Sequence, residues 1–184
     1  MERLVQSVVQ DVPEAPMMTV RDLLAWAVIE LCEQGNAWVI DDEPVVVAAN
    51  TPYAELEAPP GAEPIRVLDV FDGGVRLTPG GDYRQTSPTR IQILRKTNAS
   101  SLSGRLAVKP MQGNKLPQEL LSLHRETLRF GTLSRVLMLP QPWRDTDMAM
   151  HYQKYWIAGV NDAKRLSVYG HQYGGVRVQP RRFI

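Results

Sequence analysis

Val20, Leu23, Leu24, Ala27, Val28 and Leu31 fall at i, i+3, i+4, i+7, i+8 and i+11, which predicts one amphipathic helix from Thr19 to about Gln34. Thr19 is placed to cap its first amides, Asp22 stands where the acidic half of a capping box would, and Met18 can staple onto Leu23. Gly35 is expected to end the helix in the left-handed conformation open to glycine. Trp26 and Ile29 lie off the main stripe, so the helix is expected to touch protein on a second side, from its own β region or from another chain.

Between Pro44 and Pro110 the periodicity changes from helical to alternating, punctuated by proline and glycine. Val45 to Ala49 is a short apolar run, and Ala58-Pro59-Pro60-Gly61 with Pro64 marks a loop outside any sheet ladder. Ile65 to Phe71 and Val75 to Thr78 flank Asp72-Gly73-Gly74, a strong hairpin signal, and Pro79-Gly80-Gly81-Asp82 reads as a second turn. Thr89 to Lys96 alternates Ile91 and Ile93 with polar residues, Leu106 with Val108 suggests another strand, and Asn98 to Gly104 reads as a flexible loop. The expectation is four to six short strands in a small sheet or barrel-like insert.

Helical character returns at Leu116-Pro117-Gln118-Glu119 and is expected to run to about Leu139, with Gly131 explained by close approach of a neighbouring backbone. Pro140-Gln141-Pro142-Trp143 breaks it. Asp145 or Thr146 can cap a last helix from Asp147 to about Tyr169, with Met148, Tyr152, Tyr155, Trp156, Gly159, Ala163 and Leu166 as its stripe. Two long helices joined by a short turn are expected to pack antiparallel. The last stretch, Gly170 to Ile184, holds three glycines, three arginines and alternating Val176 and Val178, and reads as an extended arm that docks elsewhere or as a frayed basic tail.

The expected fold is therefore α+β. An N-terminal segment and helix (1–43) and a helical hairpin (111–169) form a helical core, a small antiparallel β domain (44–110) is inserted between them, and an extended arm (170–184) follows. At 184 residues the chain is long enough to bury a core without staples. Its 43% hydrophobic and 22% charged residues exclude a wholly disordered, collagen-like or disulfide-scaffold chain. The longest apolar run, Leu23 to Ile29, is far below the roughly 20 residues that cross a bilayer, and Glu2, Gln6 and Ser7 interrupt any signal-peptide hydrophobic region. A lone Cys32 allows no internal disulfide and no paired-cysteine metal or redox motif, consistent with synthesis in a reducing cytoplasm.

Charge adds a polarity. Residues 1–63 hold 2 basic against 12 acidic side chains, and residues 115–184 hold 11 basic against 5 acidic, although the whole chain is only +1. Such polarity closes within one fold, or it draws one face of a subunit to the opposite face of its neighbour.

Candidate chemistry is sparse. His124, His151 and His171 stand in no metal-ligand spacing, and the glycine pairs lack a phosphate-cradling frame. Asp41-Asp42-Glu43 lacks the spacing of a calcium loop, Cys32 reads as a small core residue, and the serines at 100, 101 and 103 lack a nucleophile elbow. Arg84, Arg90, Arg95, Arg105, Lys96 and Lys109 could form a basic β surface with Tyr83 stacking on a base, the best case for nucleic-acid binding. No catalytic residue, cofactor or metal ligand is assigned.

The segment from Leu116 to Leu166, LPQELLSLHRETLRFGTLSRVLMLPQPWRDTDMAMHYQKYWIAGVNDAKRL, resembles the C-terminal helical hairpin of head-to-tail adaptor (connector, or neck) proteins of tailed bacteriophages. The shared features are a Leu-Pro helix start, a glycine followed by small residues (Gly131-Thr132-Leu133-Ser134), a proline-tryptophan turn (Pro140, Pro142, Trp143) and a returning aromatic-rich helix. The helix from Thr19 to Gln34 also looks like the first helix of these proteins. The large β insert departs from the simpler, all-helical adaptors.

The resemblance implies a non-enzymatic virion protein in the particle's neck, made in the host cytoplasm. Copies of it would form a ring, commonly of twelve, under the portal protein and join it to a tail or nozzle protein, with DNA only as passing cargo and no membrane contact. The interface and packing candidates are Trp26, Ile29, Gly131, Trp143, Tyr155, Trp156, Arg177, Arg181, Arg182 and Phe183. Rival expectations are a tail-terminator or tail-tube protein and, from another class, a small metal-dependent hydrolase built on Asp69, Asp72 and Asp82.

Overall fold

A computed structural model describes residues 1–48, 51–94 and 100–170. The expected arm, with Arg177, Arg181, Arg182 and Phe183, lies outside the described residues, as do His171, Arg95 and Lys96. The chain is a mixed α+β protein in the order α1 (Glu2–Asp11), α2 (Met17–Gly35), β1 (Val39–Asp41), β2 (Val45–Val47), β3 (Tyr53–Glu55), β4 (Ala62–Asp72), β5 (Val75–Arg76), β6 (Tyr83–Gln85), β7 (Arg90–Ile93), β8 (Ser100–Pro110), α3 (Gln118–Leu123), α4 (Arg125–Met138) and α5 (Thr146–Tyr169).

The helices share one apolar core. α2 contributes Val20, Leu24, Ala27, Val28 and Leu31, α4 contributes Leu128, Leu133 and Val136, and α5 contributes Ala149, Trp156, Val160 and Ala163. Helix α1, absent from the sequence expectations, closes one side with Leu4, Val5 and Val8. Helix α2 starts two residues before Thr19, with Pro16 as N-cap and no side-chain cap, so the expected capping box and the Met18 staple do not form. Its end is also different. Asn36, not Gly35, adopts the left-handed conformation (φ 48°), because Gly35 is spent on a close helix contact: a Cβ there would stand 3.1 Å from both the Val160 carbonyl and the Ala163 Cβ.

Helices α4 and α5 run in opposite directions, since Asp145 N–H donates to the Leu137 carbonyl at the turn while Thr127, near the start of α4, meets Gly159, far along α5. Asp145 caps α5 as expected, accepting from the Met148 amide at 3.0 Å. The single helix expected over 116–139 is divided at His124, which leaves helical dihedrals (φ −109°, ψ 28°). Gly131 is required by a side chain rather than a backbone: a Cβ there would fall on the six-membered ring of Trp156. The buried hydroxyls of Thr132 and Ser134 are satisfied within α4 by the carbonyls of Leu128 and Gly131, at 2.7 and 3.0 Å. The buried stripe of α5 is Ala149, Trp156, Val160, Ala163 and Ser167, mostly small residues, whereas Met148 and Tyr155 are exposed.

The β region is larger than the four to six short strands expected. Two long strands, β4 and β8, pair antiparallel; β5 extends the sheet beyond β4, and β1 and β2 share the other edge of β8. A second sheet runs β3-β7-β6, and the two enclose Leu56, Val70, Tyr83, Ile91, Leu102, Leu106 and Val108. The first strand begins at Val39, ahead of the expected boundary at Pro44. From Ser100 to Gly104 the supposed loop is strand β8, because Leu102, Gly104, Leu106 and Val108 are one continuous inward face. The Asp72-Gly73-Gly74 turn forms as expected, both glycines having positive φ (55° and 86°) and Asp72 facing Val75.

Gly131→Ala separates local propensity from packing. Propensity alone would raise stability by about 1 kcal/mol, whereas overpacking against Trp156 costs about 1–3 kcal/mol. The expected outcome in urea unfolding is a lowered midpoint; a raised midpoint contradicts the packing.

Candidate interface

With its inner stripe committed to the core, α2 turns Asp22, Trp26, Ile29 and Glu33 the other way. Trp26 is 66% exposed, an unusual state for the largest apolar side chain. The chain leaving β8 rises beside this face. Met111 N–H donates to the Gly61 carbonyl and Asn114 N–H to the Met111 carbonyl, both at 3.1 Å, while Gly113 turns with φ 85°. Pro110 to Leu116 thus stands as a second wall, and between it and α2 lies a cleft of about 820 Å³, with Leu121 of α3 also in its lining.

Ion pairs hold the walls together. Lys109 donates to Glu33 at 2.7 Å and lies 3.6 Å from Glu63, and the hydrogen bond to Glu33 raises the lysine's pKa, keeping it charged. The Arg66 guanidinium donates to the Glu33 carbonyl at 2.8 Å. Arg135 pairs with Glu30 from the core side and lies over the Trp156 ring at 4.9 Å. The cleft is lined by apolar side chains, among them Ala25, Trp26, Ile29, Met111 and Leu116, and of its charged residues Glu30 and Glu33 are paired with Arg135 and Lys109, beside Asp22 and Lys115.

A second outward face lies on α5, where Met150, Ile157 and Val168 alternate along one line of the helix with Lys154, Asn161 and Lys164, and Ile157 is 51% exposed. Around the helix, Tyr155 belongs to a ring cluster with Phe130 (centroids 5.1 Å) and His151 (5.0 Å), and Phe130 in turn stacks on Tyr152 at 5.8 Å.

The sequence candidates thus divide. Trp26, Ile29 and Tyr155 are at the surface. Gly131 and Trp156 meet inside the helical core, where Trp156 is 1% exposed, so they are packing residues and present nothing to a neighbour. Trp143 is half-buried at the α4–α5 turn, its indole N–H donating to the Val136 carbonyl at 3.3 Å. The wall at Pro110 to Leu116 and the Met150–Ile157–Val168 stripe were missed; the spacing of the stripe could have revealed it, whereas the wall needs the tertiary path of β8.

The other candidate chemistries are not assembled. Tyr83 is buried in the β core, where burial first and the Asp69 charge second push its phenol pKa up, so it cannot stack on a base. Arg105 is held by Asp69 at 3.1 Å and by Asp41 at 3.6 Å, Arg90 lies 4.4 Å over the Tyr53 ring, and Lys109 is committed to Glu33. Of the six basic residues, Arg90, Arg105 and Lys109 are thus committed to a ring contact and ion pairs, Arg84 is exposed on β6, and Arg95 and Lys96 lie outside the described residues. Asp69 is neutralised by Arg76 and Arg105, and Asp82 accepts from the Thr78 amide at 2.9 Å within its own turn. Among the described residues no three histidine, cysteine or carboxylate side chains gather to hold a metal ion, and no helix is long and apolar enough to cross a membrane. Compared with protein-family models and with curated proteins, the chain matches none.

Two buried titratable groups give direct checks. Burial, aided by the Glu33 carboxylate, pushes the Cys32 thiol up to about 12, so the native chain is expected to resist a thiol reagent at neutral pH and to react fully in urea. Rapid native labelling would contradict its buried position. Burial lowers the His124 pKa, so the unfolded chain binds a proton where the folded chain does not. The stabilisation is complete above about pH 6.5 and declines as the pH falls from there toward the folded value. His124→Gln is expected to narrow the difference in urea midpoint between about pH 7.5 and about pH 5.5; an unchanged difference refutes the burial of a neutral imidazole.

Proposed function

We propose that this protein is a structural joint of a tailed phage particle, an adaptor whose copies form a ring under the portal and connect it to the tail while leaving a channel for DNA. The observation that carries the reading is the pair of unlike faces that point away from the shared core: the apolar Trp26–Ile29 face over its cleft, and the α5 face on which Met150, Ile157 and Val168 alternate with Lys154, Asn161 and Lys164. A ring needs two different, complementary patches on each subunit, since a self-complementary patch closes a dimer. An exposed apolar patch such as the one at Trp26 and Ile29 marks contact with protein.

Charge supports the same direction. On the α2 face Glu30 and Glu33 are already paired with Arg135 and Lys109, which leaves Asp22 to attract Lys154 and Lys164 on a neighbouring copy's α5. The likeness of the 116–166 segment to adaptor hairpins supplies the partner class, portal on one side and a tail or nozzle protein on the other.

Native mass measurement and electron imaging of the protein mixed with a cognate portal test this. The expected result is a closed ring of this chain seated on the portal ring. Failure to bind portal or any tail component contradicts the proposal.

A further inference from the structure

We propose that copies of this chain join edge to edge, β5 of one copy lying antiparallel beside β2 of the next, so that the larger sheet continues from copy to copy. β2 and β5 are the opposite margins of one end of that sheet: Leu102 of β8 pairs with Val45 on one side and with Asp72 on the other, and Asp72 pairs in turn with Val75. Among the described residues β8 is the only strand partner of β2, and β4 the only one of β5. A native edge is usually blunted by a charge, a proline or a bulge within the strand. β2 is instead three valines, of which Val46 is 82% exposed, and Val75 on the other margin is 69% exposed.

The backbone groups that would pair are turned outward on both edges. In an antiparallel ladder, successive residues address opposite neighbours. The Leu77 N–H donates to the Val70 carbonyl of β4 at 2.8 Å, so Arg76, one residue earlier, points its own N–H and C=O away from β4. The Ser101 carbonyl accepts from the Gly73 N–H at 3.1 Å, on the β4 side of β8, so Val46, opposite Ser101, points its N–H and C=O away from β8. Arg76 set opposite Val46 of the next copy therefore exchanges two hydrogen bonds.

The facing of the side chains gives the same register. Arg76 pairs with Phe71, Phe71 with Ser103, and Val46 with Ser101, so Arg76 and Val46 share one face of the sheet, whereas Val75 and Val45 share the Leu102 row on the other. With Arg76 opposite Val46, Val75 falls opposite Val47 and every residue keeps its face; a slip of one residue would reverse them. Strand direction agrees, because β2, β8, β4 and β5 alternate, and a neighbouring copy in the same orientation presents β2 antiparallel to β5. The two edges differ, so the contact is heterologous, the kind that closes rings. The inference rests on the ring reading only in taking copies to repeat in one direction, and it names the backbone contact between them.

Two single variants of the full chain, Val46→Cys and Arg76→Cys, are mixed under mild oxidation, alone and together with a portal. The Cα separation of a hydrogen-bonded antiparallel pair, about 5.5 Å, suits a disulfide, and the native Cys32 is buried. The expected product is a 46–76 disulfide between copies, identified by peptide mass. Bonds only of 46 to 46 or of 76 to 76, or no bond in either setting, overturn the proposal. Val46→Pro gives an independent reading, since proline there removes only the outward N–H while the ladder to β8 runs through Val45 and Val47. It is expected to keep the parent's urea midpoint and to weaken association at least about ten-fold, measured by sedimentation in the setting where the parent assembles; unchanged association overturns the proposal. A ring on the portal without the 46–76 bond refutes the edge contact and leaves the adaptor reading standing, whereas the bond in a chain that binds no portal does the reverse.

Discussion

Where a side chain on residue 131 would stand, the Trp156 ring already is, and this one exclusion sets the separation of α4 and α5. Thr127 over Gly159 repeats it at a second α4–α5 contact, and Val160 with Ala163 over Gly35 repeats it between α5 and α2, so that α5 meets both helices through glycine. The consequence reaches the surface. Once the inner faces are locked in this register, rotation of each helix is fixed, and Trp26, Ile29, Met150, Ile157 and Val168 have no way inward. Their exposure follows from the packing beneath them.

The β unit is attached to the helices chiefly by apolar contact. Trp38 packs against both cores, and Ile65 of β4 packs on the helical one. Around these run the polar ties: Lys109 to Glu33, Arg66 to the Glu33 carbonyl and Arg105 to the Ser167 carbonyl. Partly exposed ion pairs of this kind are worth about 0–1 kcal/mol each, so their part is to fix direction more than to supply stability. The Lys109–Glu33 pair ties the end of β8 to α2 next to Pro110, where the cleft begins.

Much of the fold could be read from the residues. The α2 stripe, the Asp145 cap and the Asp72-Gly73-Gly74 turn each rest on a short-range rule, and each formed. Misreadings arose where a residue answers to a partner far away in sequence. Gly35 looked like a helix terminator and is a contact with α5; Gly131 looked like room for a backbone and is room for an indole; Ser100 to Gly104 looked like a loop because small and polar residues there hide an inward alternation that continues to Val108. The candidate interface was half legible. Trp26 and Ile29 stand off their stripe visibly, but the opposing wall comes from residues 110–116, which no spacing connects to α2. Asp69 shows the same limit, since its neutralisation by Arg76 and Arg105 depends on strand register.

The proposal comes down to a division of labour between faces: inward residues make the fold, and outward apolar residues are proposed to make the assembly. Ile157→Glu tests it in a single comparison, because the position is half exposed on α5 and glutamate is a good helix former. Unfolding and sedimentation with portal are measured on the same sample. The account predicts a stability within about 0.5 kcal/mol of the parent together with loss of the ring. A variant that still assembles, or one that unfolds instead, contradicts it.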